Sequence, residues 1–101
     1  MRLEIVLGPA AVNELRALKA NTRAEVRRAL EQFLRHDPTR TGKARIKRLR
    51  GLSRPQYHLR VGDIRVFYDV REDTVEILAI MSKTDVVDWL DEYGVAEGDD
   101  E

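Results

Sequence analysis

The sequence predicts an α+β fold, a small antiparallel-dominated sheet packed on an N-terminal α-hairpin in the order βααβββα. Residues 57–70, YHLRVGDIRVFYDV, alternate apolar and polar on both sides of Gly62-Asp63, the pattern of a tight β-hairpin. Two upstream segments place apolar residues at helical spacing, and downstream an apolar run, VEILAIM, precedes a short amphipathic stretch. A chain of 101 residues suffices for one domain with one modest core, assigned to residues 1–94.

Residues 3–7, LEIVL, make a short β-type run closed by Gly8-Pro9, and Pro9 suits the first position of a helix because its missing N–H is not needed there. Ala11, Val12, Leu15 and Leu18 give that helix one buried stripe. Thr22-Arg23-Ala24-Glu25 matches a capping box, in which hydroxyl and carboxylate satisfy each other's free amides, so the second helix is predicted to start there. Val26, Ala29, Leu30, Phe33 and Leu34 form its apolar stripe, and Pro38 ends the run. Residues 37–43, DPTRTGK, read as a loop, and residues 44–51, ARIKRLRG, as a run too charged for a core.

A two-residue loop with Gly first favours a type II′ turn, and that turn fixes the register: Val61 opposite Ile64, Arg60 opposite Arg65, Leu59 opposite Val66, His58 opposite Phe67. Tyr57, Leu59, Val61, Ile64, Val66, Tyr68 and Val70 then share an apolar face; His58, Arg60, Arg65, Phe67 and Asp69 share the other. Residues 75–81 read as a central strand covered on both faces. Pairing Val70 with Val75 sets Leu78 and Ile80 beside Phe67, as an apolar floor on the arginine-bearing face. Ser82 or Thr84 caps a last helix carrying Val86, Trp89, Leu90 and Tyr93, and Gly94 ends it. Their helical spacing favours core packing for Trp89 and Tyr93 over base stacking. Residues 95–101 read as an acidic, disordered tail.

Composition narrows the chemistry. There is no cysteine, hence no disulfide, thiolate chemistry or thiolate metal site, and a cytoplasmic location without export or membrane insertion is expected. No metal or cofactor is expected. The formal net charge of zero conceals a polarity along the chain. Residues 16–65 hold 15 Lys and Arg against 4 Asp and Glu, whereas residues 66–101 hold 2 against 12. Such asymmetry points to a basic surface for nucleic acid or an acidic partner, or else to two solvated faces that neutralise each other.

Two arginines directly opposite each other repel, so Arg60 and Arg65 ask for an anion: Asp69, Glu76 or the tail of this chain, a partner's carboxylate, or a phosphate. A planar guanidinium suits phosphate because it binds two oxygens at once. His58 is the one conventional acid/base group on that face, two residues from Arg60; the alternative is a half-exposed strand residue with no chemical role. His36, at the end of the second helix, reads as a surface residue suited to the helix dipole.

The order βααβββα, with Arg48-Leu49-Arg50-Gly51 followed by YHLRVGDIRVFYDV and ILAI, resembles the RelE/ParE superfamily of type II toxin–antitoxin toxins. The most specific part is Leu-Arg-Gly, a short gap, then Tyr-x-Leu-Arg-Val-Gly-Asp-x-Arg-Val-x-Tyr, over residues 49–68. The resemblance implies a basic concave face and a small, acidic, partly disordered cognate antitoxin. It also implies a choice of activity, since RelE-like members cut messenger RNA in the ribosomal A site and ParE-like members inhibit DNA gyrase. The expected function is a metal-independent mRNA endoribonuclease acting on translating ribosomes; the alternative is a gyrase inhibitor or a binding protein whose chemistry has decayed.

By the same resemblance, Arg65 stands at the arginine placed on the scissile phosphate, and Arg60 matches a basic position in the preceding strand. Lys83 stands for the basic residue after the last strand, where it and His58 are candidates to assist proton transfer. Lys43, Arg45, Lys47, Arg48 and Arg50 read as sequence-independent contacts to an RNA backbone, or as a solvated basic edge. Two positions depart from the family pattern: Val87 occupies the place of a tyrosine, and Gln56 and His58 fall near lysine positions.

Overall fold

The computed structural model describes residues 2–42 and 45–98. Strand β1 (Glu4–Leu7) leads to helix α1 (Pro9–Ala17) and helix α2 (Ala20–Ala29), and α2 runs on into a π-helical turn, Leu30–Leu34. Strands β2 (Ile46–Arg48), β3 (Leu52–Arg54), β4 (Tyr57–Val61), β5 (Ile64–Arg71) and β6 (Thr74–Ser82) follow. A 3₁₀ turn (Lys83–Asp85), helix α3 (Val86–Tyr93) and strand β7 (Val95–Ala96) complete the chain. Five strands form one sheet in the order β1-β6-β5-β4-β2, antiparallel except where β1 runs parallel to β6; β3 and β7 form a separate pair. This is the α+β architecture expected, with two short strands, β2 and β3, drawn from the basic run and its flank.

The hairpin turn sets the register as its sequence predicts. Gly62 adopts φ 57°, the left-handed conformation that the first residue of a II′ turn needs, and Arg60 pairs with Arg65, Leu59 with Val66 and His58 with Phe67. Leu59, Val66 and Tyr68 thereby join Ala11, Leu15, Val26, Leu30 and Leu34 in the main core between sheet and helices. Ile46 of β2 joins them, so the basic run is not wholly outside the core: its one β-branched residue is buried while Lys47 and Arg48 stay exposed, as an edge strand permits.

Helix α2 starts two residues before the expected capping box, and Thr22 and Glu25 lie inside it. Only Leu18 and Lys19 separate the helices, which leaves Lys19 at the N-cap with no side-chain hydrogen bond. Arg23 compensates from the first turn of α2, donating to Arg16 O (3.1 Å) and Leu18 O (3.3 Å) at the carbonyl end of α1.

A β-bulge changes the second face. Phe67 pairs with Ala79 but Tyr68 pairs with Ile77, so Leu78 is the extra residue and the phase of β6 shifts there. Ile80 consequently sits opposite Val66 in the main core, while Ala79 and Met81 join Phe67 beneath Val86, Trp89 and Leu90 of α3. The expected floor of Phe67, Leu78 and Ile80 therefore does not exist; Phe67 is completely buried. Trp89 packs as expected, stacked on Phe67 at 5.1 Å, whereas Tyr93 is 59% exposed.

Beyond Leu7 the edge of β6 loses its strand partner, and Glu14 of α1 takes over, accepting the Ile80 N–H at 2.8 Å. Burial pushes the Glu14 carboxyl up, partly offset by that bond. Gly94 lets the chain leave α3 tightly, since a Cβ there would lie 2.6 Å from Leu90 O. Val95 and Ala96 then pair with β3, and Glu97 N–H donates to Gly51 O at 3.0 Å, so disorder does not begin at residue 95; residues 99–101 lie outside the described residues. No helix among the described residues is long and apolar enough to cross a membrane.

The loop after the π-helical turn is held by one buried bond, Tyr68 Oη donating to Pro38 O at 2.6 Å. Burial pushes the phenol pKa up, so it stays a neutral donor. Tyr68→Phe is expected to lower unfolding free energy by about 1–2 kcal/mol, with an unchanged urea m-value, because the Pro38 carbonyl loses its partner in the core. An unchanged urea midpoint would mean that water replaces the hydroxyl.

Candidate nucleic-acid interface

The hairpin tip and the Pro38 loop enclose a groove of about 1070 Å³. Each wall comes from a different element. Arg60 and Arg65 project from β4 and β5, Arg45 immediately precedes β2, Arg40 belongs to the loop, and Lys83 opens the 3₁₀ turn after β6. Gln32 and Phe33 of the π-helical turn, with the carboxylates Asp37 and Asp63, complete it. Five cations against two carboxylates in one concave site focus a positive potential on whatever enters.

The opposed arginines relieve their repulsion in an asymmetric way. Arg65 folds back on the turn and donates to Gly62 O (2.8 Å) and Ile64 O (3.1 Å), while Arg60 remains exposed. Among the described residues neither arginine pairs with a carboxylate. Asp69 and Glu76, two of the candidates, are instead met by Arg54, whose Nε lies 3.7 Å from Asp69 and whose guanidinium lies 4.0 Å from Glu76. Asp69 also accepts the Gln56 N–H at 2.8 Å, and Gln56 Oε1 accepts the Val70 N–H at 2.9 Å. Burial pushes the Asp69 carboxyl up against these contacts.

Lys83 lines the groove at the hairpin tip. Its N–H donates to Asp63 O at 2.8 Å and its Nζ sits 3.5 Å from Asp63 Oδ1, so the hairpin tip and the end of β6 are fastened together and present an ammonium and a carboxylate side by side. Ser82, expected with Thr84 as a cap of the last helix, instead accepts the Thr84 N–H and starts this 3₁₀ turn, while the N-cap of α3 is Asp85, which makes no side-chain capping bond.

His58 does not line the groove. Its ring stacks on Phe67 (centroids 5.6 Å apart, 17° between planes), and the stack continues through Trp89. Nδ1 is buried with no hydrogen-bond partner among the described residues. Desolvation, then the charges of Arg65, Lys47 and Arg60, hold the imidazole below its ordinary range. A proton carrier in that position is neutral at physiological pH and turned into an aromatic stack, so a role for His58 in reach of a phosphate on Arg60 is not what the geometry provides.

The basic run divides. Arg45 lines the groove, its guanidinium 5.0 Å from the Phe33 ring centroid. Lys47 faces out beside His58 on the second face. Arg48 holds the β2–β3 turn, donating to Gln56 O (2.7 Å) and Leu49 O (3.1 Å) over the Tyr57 ring, and Arg50 is exposed in that turn, away from the groove. Lys43 lies outside the described residues. Arg40, Asp63, Gln32 and Phe33 were not anticipated from the sequence. A cation in a polar loop beside the basic run was the signal for Arg40; for Phe33, read as core, only the packing reveals it.

The chain matches the family model of the ParE toxin of the type II toxin–antitoxin system, parDE, over residues 5–87. None of the curated proteins matches it. Among solved structures it is similar to the toxin–antitoxin complex RelBE2 from Mycobacterium tuberculosis, with 23% identity, 81% of this chain and 99% of that chain covered, and a TM-score of 0.67. It is also similar to the archaeal RelE–RelB complex from Pyrococcus horikoshii OT3 (25% identity, 82% and 97% covered, TM-score 0.61). A third likeness is to the RelB–RelE antitoxin–toxin complex from Methanococcus jannaschii (18% identity, 83% and 96% covered, TM-score 0.63).

The depressed His58 pKa makes a pH prediction. A group whose folded-state pKa lies below its unfolded value contributes stability above the unfolded value, about 6.5 for His, and loses it as pH falls through the folded value. His58→Phe keeps the stack and removes the titration. Urea midpoints of parent and variant are expected to differ by a constant above pH ~7 and to shift in the variant's favour below pH ~6.5. A pH-independent difference would show that His58 titrates as an ordinary surface histidine.

Proposed function

The chain belongs to the ParE toxin family of type II toxin–antitoxin systems, and on that premise we propose that it is an endoribonuclease that cuts messenger RNA on translating ribosomes and is neutralised by a cognate antitoxin. The observation that carries this reading is the convergence of Arg40, Arg45, Arg60, Arg65 and Lys83 on one groove. Arg60 and Arg65 take the scissile phosphate, whose charge grows as the 2′-hydroxyl attacks phosphorus and the 5′-oxygen departs. Asp63 receives the 2′-hydroxyl proton and Lys83 gives one to the leaving oxygen, leaving a 2′,3′-cyclic phosphate and a free 5′-hydroxyl. Arg40 and Arg45 hold the neighbouring backbone without reading sequence.

A second reading is favoured by His58, which lies outside the groove, and by Val87, which is 70% exposed where the resemblance places a tyrosine. In that reading the toxin binds without cutting, DNA gyrase being the target that the ParE-like resemblance suggests. Inducing the chain alone and comparing message ends with plasmid supercoiling separates the two. Cleaved messages bearing cyclic phosphate support the first; intact messages with altered supercoiling support the second.

The antitoxin belongs to both readings, and the likeness to toxin–antitoxin complexes supports it. An acidic segment satisfies the groove arginines, and Val87 and Tyr93 supply exposed apolar anchors on α3. Such a partner is expected to copurify when the neighbouring gene is coexpressed and to bind more weakly as salt rises. A neighbour that never copurifies at any salt would remove it.

Arg60→Ala and Arg65→Ala are each expected to abolish growth inhibition. Neither side chain supports the core, so circular dichroism of both variants should match the parent, although Arg65→Ala also gives up two turn contacts. A folded Arg60→Ala that inhibits growth as strongly as the parent would take the arginine pair out of the mechanism.

A further inference from the structure

The groove is chemically divided. Its Arg60, Arg65 and Lys83 end offers charge alone beyond the paired Asp63, whereas the end built by α2 and the loop offers Phe33, Arg45, Gln32 and Asp37. We infer that this second end is a base-binding subsite, in which an unpaired nucleobase stacks on the Arg45 guanidinium that Phe33 backs, with Gln32 and Asp37 facing its polar edge. The inference rests on the nucleic-acid reading of the groove and names the feature of the substrate it grips there.

Four observations converge on it. Phe33 sits in the π-helical turn, where the extra residue per turn rotates a member of α2's apolar stripe from the core to its margin; it is half-buried and lines the groove. The Arg45 guanidinium lies over this ring at 5.0 Å, which leaves the outer side of Arg45 toward the groove as a platform that any base accepts. The main chain that carries Arg45 is anchored to β4, since Arg45 O accepts the Arg60 N–H at 2.8 Å. Asp37 is the fourth: an exposed carboxylate repels a phosphate, yet it accepts readily from the amino and imino groups of a base, and the Gln32 amide both donates and accepts.

The test uses the purified 101-residue chain and two fluorescent probes: a short single-stranded 2′-O-methyl RNA, which resists cleavage, and the same backbone with abasic sugars. Fluorescence anisotropy is expected to show the base-bearing probe bound more tightly. Phe33→Leu, which keeps apolar volume, is expected to weaken it by about tenfold while leaving abasic binding unchanged, and Arg45→Lys, which keeps the charge but gives up the planar platform, is expected to weaken base-bearing binding about tenfold more than abasic binding. Thermal melting of both variants checks that they fold. Equal binding of the two probes, or equal weakening of both by the variants, would overturn the subsite and leave a phosphate-binding groove intact. Failure of both probes to bind would instead overturn the nucleic-acid reading itself, and the subsite with it.

Discussion

The arrangement depends on a constraint at Gly62-Asp63. A two-residue turn with one left-handed residue allows a single strand register, and in this chain that register puts two guanidinium groups face to face. The cross-strand repulsion costs a fraction of a kilocalorie up to about 1 kcal/mol, small beside the burial of Leu59, Val66 and Tyr68 that the same register secures on the opposite face. Hydrophobic burial therefore wins, and the arginines are accommodated by bending one of them back onto the turn carbonyls. The turn also receives Lys83 through Asp63, so the same two residues gather three of the five cations in the groove.

What was legible in the sequence is local. The hairpin register, the apolar stripes of α1 and α2, the role of Pro9 and the end of α3 at Gly94 each follow from side chains within a few residues of one another. What was not legible depends on distant segments. Leu78 is apolar like its neighbours, so nothing in VEILAIM marks the bulge; it arises where β6 serves β5 on one side and a shorter β1 on the other. The capping box at Thr22 failed because the connection from α1 is two residues long and Arg23 already answers the carbonyls there.

The site was legible in part for the same reason. Arg60 and Arg65 meet as their spacing implies, and Lys83 and Arg45 line the same groove, but partner choice among charges is a tertiary matter. Arg54, two residues before Gln56 and outside every motif, occupies Asp69 and Glu76, which frees the hairpin arginines for an external anion. His58 has the right strand phase for the groove face, yet α3 brings Trp89 onto Phe67, and an aromatic neighbour draws the imidazole into a stack instead of toward water.

The bulge at Leu78 also ties the length of β6 to the faces its side chains take. Up to that point β6 is in step with both β1 and the outer half of β5; past it, every residue through Ser82 is one step out of phase with what simple pairing would give. Removing Leu78 would make the pairing regular and leave Ala79 through Ser82 on the partners and faces they have, whereas losing a later residue of β6 with the bulge kept would exchange the faces of all that follow and send Lys83 off the wrong side of the sheet. The bulge and the length of this strand are thus coupled, so that a change in one is compatible with the groove only together with the matching change in the other.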